Sequence, residues 1–286
     1  MDFTKMQAAG NDFILIETGE TNQDWPKLAV AMCDRHFGIG GDGLLLVMPS
    51  SKVGVRMRLF NADGSEAETC GNGLRCIVRY AVDNRLVDST ASEVPVETLS
   101  GIRIGRVKRA GEGIAKVQVG MGRPVLNAGD IPVLIEADQR DTADKTPILD
   151  YPVSVSSQEM LLNFASMGNP HAVCFWQHPV ADFPLSQLGP EVELHPIFPK
   201  RINFEVARVL NRRQIEARVW ERGVGETLAC GSGACAIAVI SRLHGFTDDE
   251  VDIILPGGTL TVAWYGVGEV WLSGPAEVVF TGKWLQ

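Results

Sequence analysis

The chain has 286 residues, 45% of them hydrophobic, and a net charge of −9, which is enough material for more than one core. That acidity, with a pI near 5.1, argues against nucleic acid or an anionic membrane as partner, since both demand basic surface. No stretch is as long and apolar as a membrane span, the N-terminus lacks the apolar core of a secretory signal, and six cysteines are too few for a disulfide scaffold. A cytoplasmic protein with reduced thiols is expected.

The first helix signal is DWPKLAVAMCDRHFG, with Asp24 as cap, Pro26 in the first turn and Gly38 after its end. VRMRLF, from Val55, then alternates with strand period, and Cys70-Gly-Asn-Gly opens an apolar run of helix length. AKVQVGM is again strand-like, and the domain boundary is placed in VQVGMGRP, Val117 to Pro124. The polar segment from Glu136 to Gln158 carries no motif and reads as a loop between strands. HAVCFW and IEARVWE read as strands, and Cys230-Gly-Ser-Gly opens a second helix that Gly245 terminates. LTVAWYGVGEVWLSG and AEVVF alternate as strands to the end, the last one free to return to the first domain.

Two of these signals recur at one offset. CGNGLRC from Cys70 and CGSGAC from Cys230 are 160 positions apart, as are Arg58 in RMRLFNADG and Arg218 in EARVWERG. Gly10-Asn11 and Gly168-Asn169 are 158 apart. The order and near-constant offset indicate an internal repeat. An α+β fold follows, of two similar pseudo-repeated domains, each a strand-rich barrel-like sheet wrapped around a central helix: residues 1–118 completed by 273–286, and 119–272.

A thiol at a helix start faces unpaired N–H groups and the positive end of the helix dipole, which favours thiolate. Gly71 and Gly231 let backbone approach a ligand, and the N–H groups of Gly71, Asn72, Gly231 and Ser232 suit an anionic carboxylate. Two such thiols, Cys70 and Cys230, invite two-base chemistry in which one removes a proton from carbon and the other returns one to the opposite face. Cys33, Cys76, Cys174 and Cys235 read as core thiols. A zinc module is the competing class, although the intervals GNGLR and GSGA run into helices rather than tight turns.

GNDF, FNADGSEAETCGNGLRC, GNPH, ERGVGETLACGSGAC and LPGG, in this order from Lys5 to about Gly274, closely resemble the diaminopimelate epimerase family. The resemblance implies a pyridoxal-independent isomerase with no cofactor or metal, a homodimer whose partner is a small molecule, diaminopimelate, with no nucleic acid and no membrane. It implies interconversion of LL- and meso-diaminopimelate, in the synthesis of lysine and peptidoglycan precursors, by a thiolate and a thiol, Cys70 and Cys230. By the same likeness Asn11, Asn61, Asn169, Asn203, Glu221 and Arg222 contact substrate, Asn72 and Ser232 lend backbone N–H groups, and His171 and Glu221 stand beside the thiols. Gln7-Ala8-Ala9 and Gly43 depart from the family pattern and bear on how the distal head is gripped. A cofactor-independent racemase of another amino acid, such as proline or hydroxyproline, is the alternative enzyme.

Overall fold

Strand-period runs separated by turn residues fold here as hairpins, and both Cys-Gly strings start helices. The computed structural model describes residues 1–67, 70–88, 90–110, 113–135, 147–156 and 158–285. The chain forms two compact units, residues 1–120 with 273–286, and residues 121–272.

In the first unit β1 (Asp2–Ala8) and β2 (Asn11–Glu17) make an antiparallel hairpin, and α1 (Trp25–Cys33) leads to β3 (Gly43–Ser50), which lies parallel to β2. β4 (Gly54–Asn61) pairs antiparallel with β3 and with the short β5 (Glu66–Ala67). After α2 (Gly71–Asp83), β6 (Glu93–Thr98) returns parallel to β4 and continues antiparallel into β7 (Gly101–Ala110) and β8 (Gly113–Gly120). α2 packs against β1, β3, β4, β6, β7 and β8, so Leu74, Cys76, Ile77, Val78 and Ala81 have no solvent exposure. Its thiol Cys76 is accordingly pushed up to about 12 by burial. On the outside, α1 lays Trp25, Ala29 and Met32 over Ile14, Leu44, Leu46 and Phe60.

The second unit repeats this order. β9 (Tyr151–Val155) pairs with β10 (Gln158–Ser166), and β10 makes a hairpin with β11 (Pro170–Phe175). α3 (Leu185–Glu193) leads to β12 (Asn203–Asn211), parallel to β11, which pairs antiparallel with β13 (Gln214–Glu221) and through it with β14 (Gly225–Thr227). After α4 (Gly231–Leu243), β15 (Glu250–Leu255) runs parallel to β13 and hairpins into β16 (Gly258–Ala263). α4 packs against β10, β11, β12, β15 and β16. β17 (Trp271–Gly274) then carries the chain back to the first unit, where β18 (Glu277–Lys283) pairs antiparallel with β1 from Asp2↔Lys283 to Gln7↔Glu277.

The repeat extends to side chains. Arg58 makes a two-pronged bond to Glu66, 2.7 and 3.0 Å, and Arg218, 160 positions on, makes the same bond to Glu226 at 2.7 and 3.0 Å. Both central helices also end in one motif: Leu86 N–H reaches Ala81 O and Arg85 N–H reaches Val82 O, while Phe246 and Gly245 do the same with Ser241 and Arg242. Only the left-handed residue differs, Gly245 at φ 75° in one and Arg85 at φ 57° in the other.

The structure departs from the sequence reading in four places. α1 stops at Cys33 rather than running to Gly38, because Asp34 turns its carboxylate back to the N–H groups of His36 and Phe37, each at 2.7 Å, and this local bond competes with helix. α3 forms despite Gly189-Pro190 at its centre. A Cβ at position 189 would stand 2.6 Å from the Trp220 ring, and Leu185, Leu188 and Val192 are buried on the same helix, so packing outweighs the breaker signal. Within the polar segment, residues 136–146 and 157 lie outside the described residues, but Tyr151–Val155 is a strand whose alternate side chains are buried. The run from Leu260 to Gly274 is two strands, interrupted where Gly266 and Gly268 take φ 82° and 77°.

Candidate active site

In the first unit Cys70 is the N-cap of α2, with an extended backbone (φ −139°, ψ 116°), and its Sγ accepts the N–H of Gly73 at 3.4 Å. Asn11, at the start of β2, points Oδ1 at the helix entrance, 3.9 Å from Cys70 Sγ and 3.1 Å from Asn72 Nδ2. That orientation is fixed from behind. Asn11 Nδ2 donates to Asp42 Oδ2 at 2.7 Å, and a carboxylate can only accept. Arg35 bridges Asp12 and Asp42 at 2.7 and 2.8 Å, and buried Lys5 also pairs with Asp12. Burial works to raise Asp12, but Arg35 and Lys5 outweigh it and hold the carboxyl below its ordinary value. Buried Arg75 donates to Asn72 Oδ1 at 2.8 Å and to Pro275 O at 3.2 Å, which locks the first turn of α2. Asn61 is exposed at the end of β4, opposite Gly43 in register, and its amide is engaged by Ser65 Oγ at 2.9 Å rather than by Asn11 or Asn72.

In the second unit Cys230 caps α4 in the same way, with φ −114°, ψ 116° and Sγ accepting Gly233 N–H at 3.4 Å. Ser232 Oγ lies 3.4 Å from the sulfur, and Glu221, at the end of β13, is close enough to act electrostatically on the thiol. Thr227 Oγ1 donates to Glu221 Oε1 at 2.5 Å. Burial pushes Cys230 well above the ordinary 9.0, Glu221 and Glu205 push it further, and Ser232 and the Gly233 N–H pull the other way and lose. This reverses, for Cys230, the expectation that a helix start favours thiolate. Glu221 is itself raised, by burial first, against the opposing effects of Thr227, His171 and Cys230.

His171, on β11, is wholly buried. Its Nδ1 is 2.6 Å from Glu205 Oε1 and its Nε2 is 3.0 Å from Asn169 Oδ1. Asn203 is a brace between the start of β11 and the turn after β13: Nδ2 donates to Pro170 O at 2.8 Å and Oδ1 accepts Arg222 N–H at 3.0 Å. The Arg222 side chain donates to Lys200 O at 3.0 Å and is otherwise exposed. The loop that carries Arg222 is also held by Glu193, which accepts Trp220 Nε1 at 2.8 Å and Gly223 N–H at 2.9 Å.

The structure therefore gathers Asn11, Cys70 and Asn72 in one group, and Asn169 and His171 with Glu205, and Glu221, Cys230 and Ser232 in a second. Gly71 and Gly231 are the first residues of their helices, where N–H groups have no partner in the helix itself. Sequence reading missed Asp42, Thr227 and Glu205. The last had a visible signal, a lone acid inside the otherwise apolar strand run FEVARV. At the repeat offset it falls on Leu45, as Asn203 falls on Gly43 and His171 on Phe13, and the strand registers agree: Phe13↔Gly43 in one unit, His171↔Asn203 in the other. Among the described residues no group of three or more His, Cys, Asp or Glu side chains is placed to hold a metal ion, and no helix is long and apolar enough to cross a membrane.

Solved structures with this fold include a PhzF-family phenazine biosynthesis protein from Bacillus anthracis, TM-score 0.71 at 14% identity, covering 100% of this chain and 99% of that one. A probable proline racemase from Agrobacterium radiobacter matches with TM-score 0.70 at 13% identity, covering 99% of this chain and 92% of that one. The class is thus the two-domain α+β fold of PhzF-like and proline racemase-like proteins, here with a cysteine at the head of each central helix. Sequence comparison narrows it. The diaminopimelate epimerase family profile matches residues 3–127 and 163–279. Diaminopimelate epimerases of Agathobacter rectalis and Moorella thermoacetica are 44% and 45% identical over 285 residues, covering 99% of this chain and 99% and 98% of theirs. The chain belongs to the diaminopimelate epimerase family, a family of isomerases.

Proposed function

We propose that this protein is a diaminopimelate epimerase that interconverts LL- and meso-2,6-diaminopimelate with Cys70 and Cys230 as the two proton-transfer groups and no pyridoxal cofactor. The observation that carries the reading is the recurrence of one device: a thiol as N-cap, accepting the N–H of the second glycine after it, at the same place in both units. With Cys230 holding its proton, Cys70 is the base that begins a turnover by taking the α-hydrogen, and the Cys230 thiol returns a proton to the opposite face. The reverse direction exchanges the roles. Negative charge from the broken C–H bond spreads into the substrate carboxylate, where N–H groups of Gly71, Asn72, Gly231 and Ser232 are the donors. Preorganised donors of this kind are worth about 2.7–4 kcal/mol each.

Asn11, Asn61, Asn169, Asn203, Glu221 and Arg222 are assigned to substrate recognition, and His171 and Glu221 to the proton inventory around Cys230. The protein works in the cytoplasm as a homodimer, in the supply of lysine and peptidoglycan precursors.

The test is incubation in deuterated water with LL-diaminopimelate and, separately, with L-proline, following α-hydrogen exchange by NMR. Exchange and meso product are expected with diaminopimelate; exchange with proline alone overturns the substrate assignment. Cys70→Ala and Cys230→Ala are each expected to lower turnover by about 10²–10⁴-fold, and wild-type turnover in either variant overturns the two-base assignment.

A further inference from the structure

We propose that Glu205 is a positioning residue: as a carboxylic acid it donates to His171 Nδ1 and so turns Asn169 to offer amide N–H groups, rather than its oxygen, to an anionic group of the substrate.

Hydrogen-bond bookkeeping carries the argument. Glu205 and His171 both have 0% exposure, and the pair is linked at 2.6 Å. Glu205 Oε2 is buried with no hydrogen-bond partner. In an ionised carboxylate that oxygen would carry unsolvated charge, whereas in the acid it is a neutral carbonyl oxygen, which costs far less to bury. An acid O–H directed at Nδ1 leaves the imidazole its single proton on Nε2, and Nε2–H then donates to Asn169 Oδ1 at 3.0 Å. With Oδ1 so engaged, Asn169 Nδ2 remains as the donor.

The groups that face Glu205 favour the same state. His171 faces it from β11, the Glu221 carboxyl from β13 and the Cys230 thiol from the start of α4, and the last two would add negative charge, not relieve it. Burial raises the Glu205 carboxyl above its ordinary value, with His171 opposing. The acid also sits against the first turn of α4, where a Cβ on Gly233 would come 2.7 Å from Oε1. Packing does not require a polar pair here. The first unit fills the matching positions with buried Phe13 and Leu45, and Leu45 lies against Gly73 at the equivalent place.

The sign of the pH dependence follows. When Glu205 loses its proton at higher pH, the carboxylate accepts from Nδ1–H, Nε2 becomes an acceptor, and Asn169 must turn its amide inward and present oxygen. Affinity for an anionic group then falls.

The inference rests on the proposed activity only for the anionic substrate group, and the first measurement needs no substrate. Imidazole ¹⁵N spectra of the labelled wild-type protein are expected to show His171 as the Nε2–H tautomer at neutral pH, moving to Nδ1–H as pH rises. kcat/KM for LL-diaminopimelate is expected to fall over the same range. Glu205→Gln, which cannot ionise, should abolish the tautomer change and move the alkaline fall in kcat/KM up to the range where the Cys230 thiol loses its proton. Glu205→Leu should raise KM about tenfold, roughly 1.4 kcal/mol, with a smaller change in kcat. An Nδ1–H tautomer at neutral pH in the wild-type protein, or an unchanged alkaline fall in Glu205→Gln, overturns the proposal. Inactivity toward diaminopimelate with the expected tautomer would instead count against the activity and leave the positioning role standing.

Discussion

The turns that present Cys70 and Cys230 share a backbone and differ in what stands behind the sulfur. Both thiols cap their helices with nearly the same dihedral angles and the same 3.4 Å bond from the second glycine. Around Cys70 the partners are amides, Asn11 and Asn72, held by Asp42 and Arg75. Around Cys230 they are Ser232 and two carboxyls, Glu221 and Glu205, the second tied to His171. The lesson is one of magnitude. The dipole at a helix end is worth at most about 2 kcal/mol, and burial beside two acids outweighs it. A repeated fold thus supplies two similar cradles, and a few substitutions at matched positions, Leu45 against Glu205 and Phe13 against His171, give them different electrostatic surroundings.

The most severe way to break this comparison is to move the acid across the repeat. Leu45→Glu places a carboxyl in an apolar core, at the position that matches Glu205, and is expected to cost about 3–5 kcal/mol. Phe13→His with Leu45→Glu should recover about 1 kcal/mol or more, measured as the coupling term of a double-mutant cycle by denaturant unfolding. Absence of coupling would show that the Glu205–His171 pair depends on more than these two positions. A smaller effect sharpens the electrostatic half. Glu221→Gln removes one of the charges beside Cys230, so the thiolate absorbance of Cys230 should titrate at lower pH than in the wild-type protein, while burial, the larger cause, keeps it above 9.0. The same substitution changes stability in a defined sense. Native Glu221 keeps its proton above the ordinary 4.5 at which the unfolded chain loses it, so its contribution to stability declines as pH rises from there through the raised native value. Thermal midpoints of Glu221→Gln should lack that decline. The smallest effect tests the helix ends: Arg85→Gly relieves a left-handed residue where the other unit has Gly245, and should stabilise by about 1 kcal/mol, read as a raised unfolding midpoint.

Much of the site was legible because it rests on short-range rules. A Cys-Gly-x-Gly string before an apolar run announces an N-cap, and a constant offset announces the second unit. The features that escaped depend on partners far along the chain. Nothing local to Gly189-Pro190 reveals that the Trp220 ring will rest on that glycine. Asp42 is a loop residue until the fold sets it under Asn11. Glu205 could have been found, since a lone acid in a buried strand needs a partner, but only the parallel pairing of β11 with β12 identifies it as His171. The early end of α1 was missed for the opposite reason, because an entirely local bond from Asp34 overrode a plausible helical pattern.

The pairing of β1 with β18 joins residues from opposite ends of the sequence, Asp2 beside Lys283. During synthesis, the described strands of residues 121–272 have their partners before β18 emerges, whereas β1 until then has, among the described residues, β2 alone. The domain begun first is the one finished last. Its first β-strand must wait with half its backbone groups unmatched, a template for unwanted sheet addition, until residues 277–283 have left the ribosome.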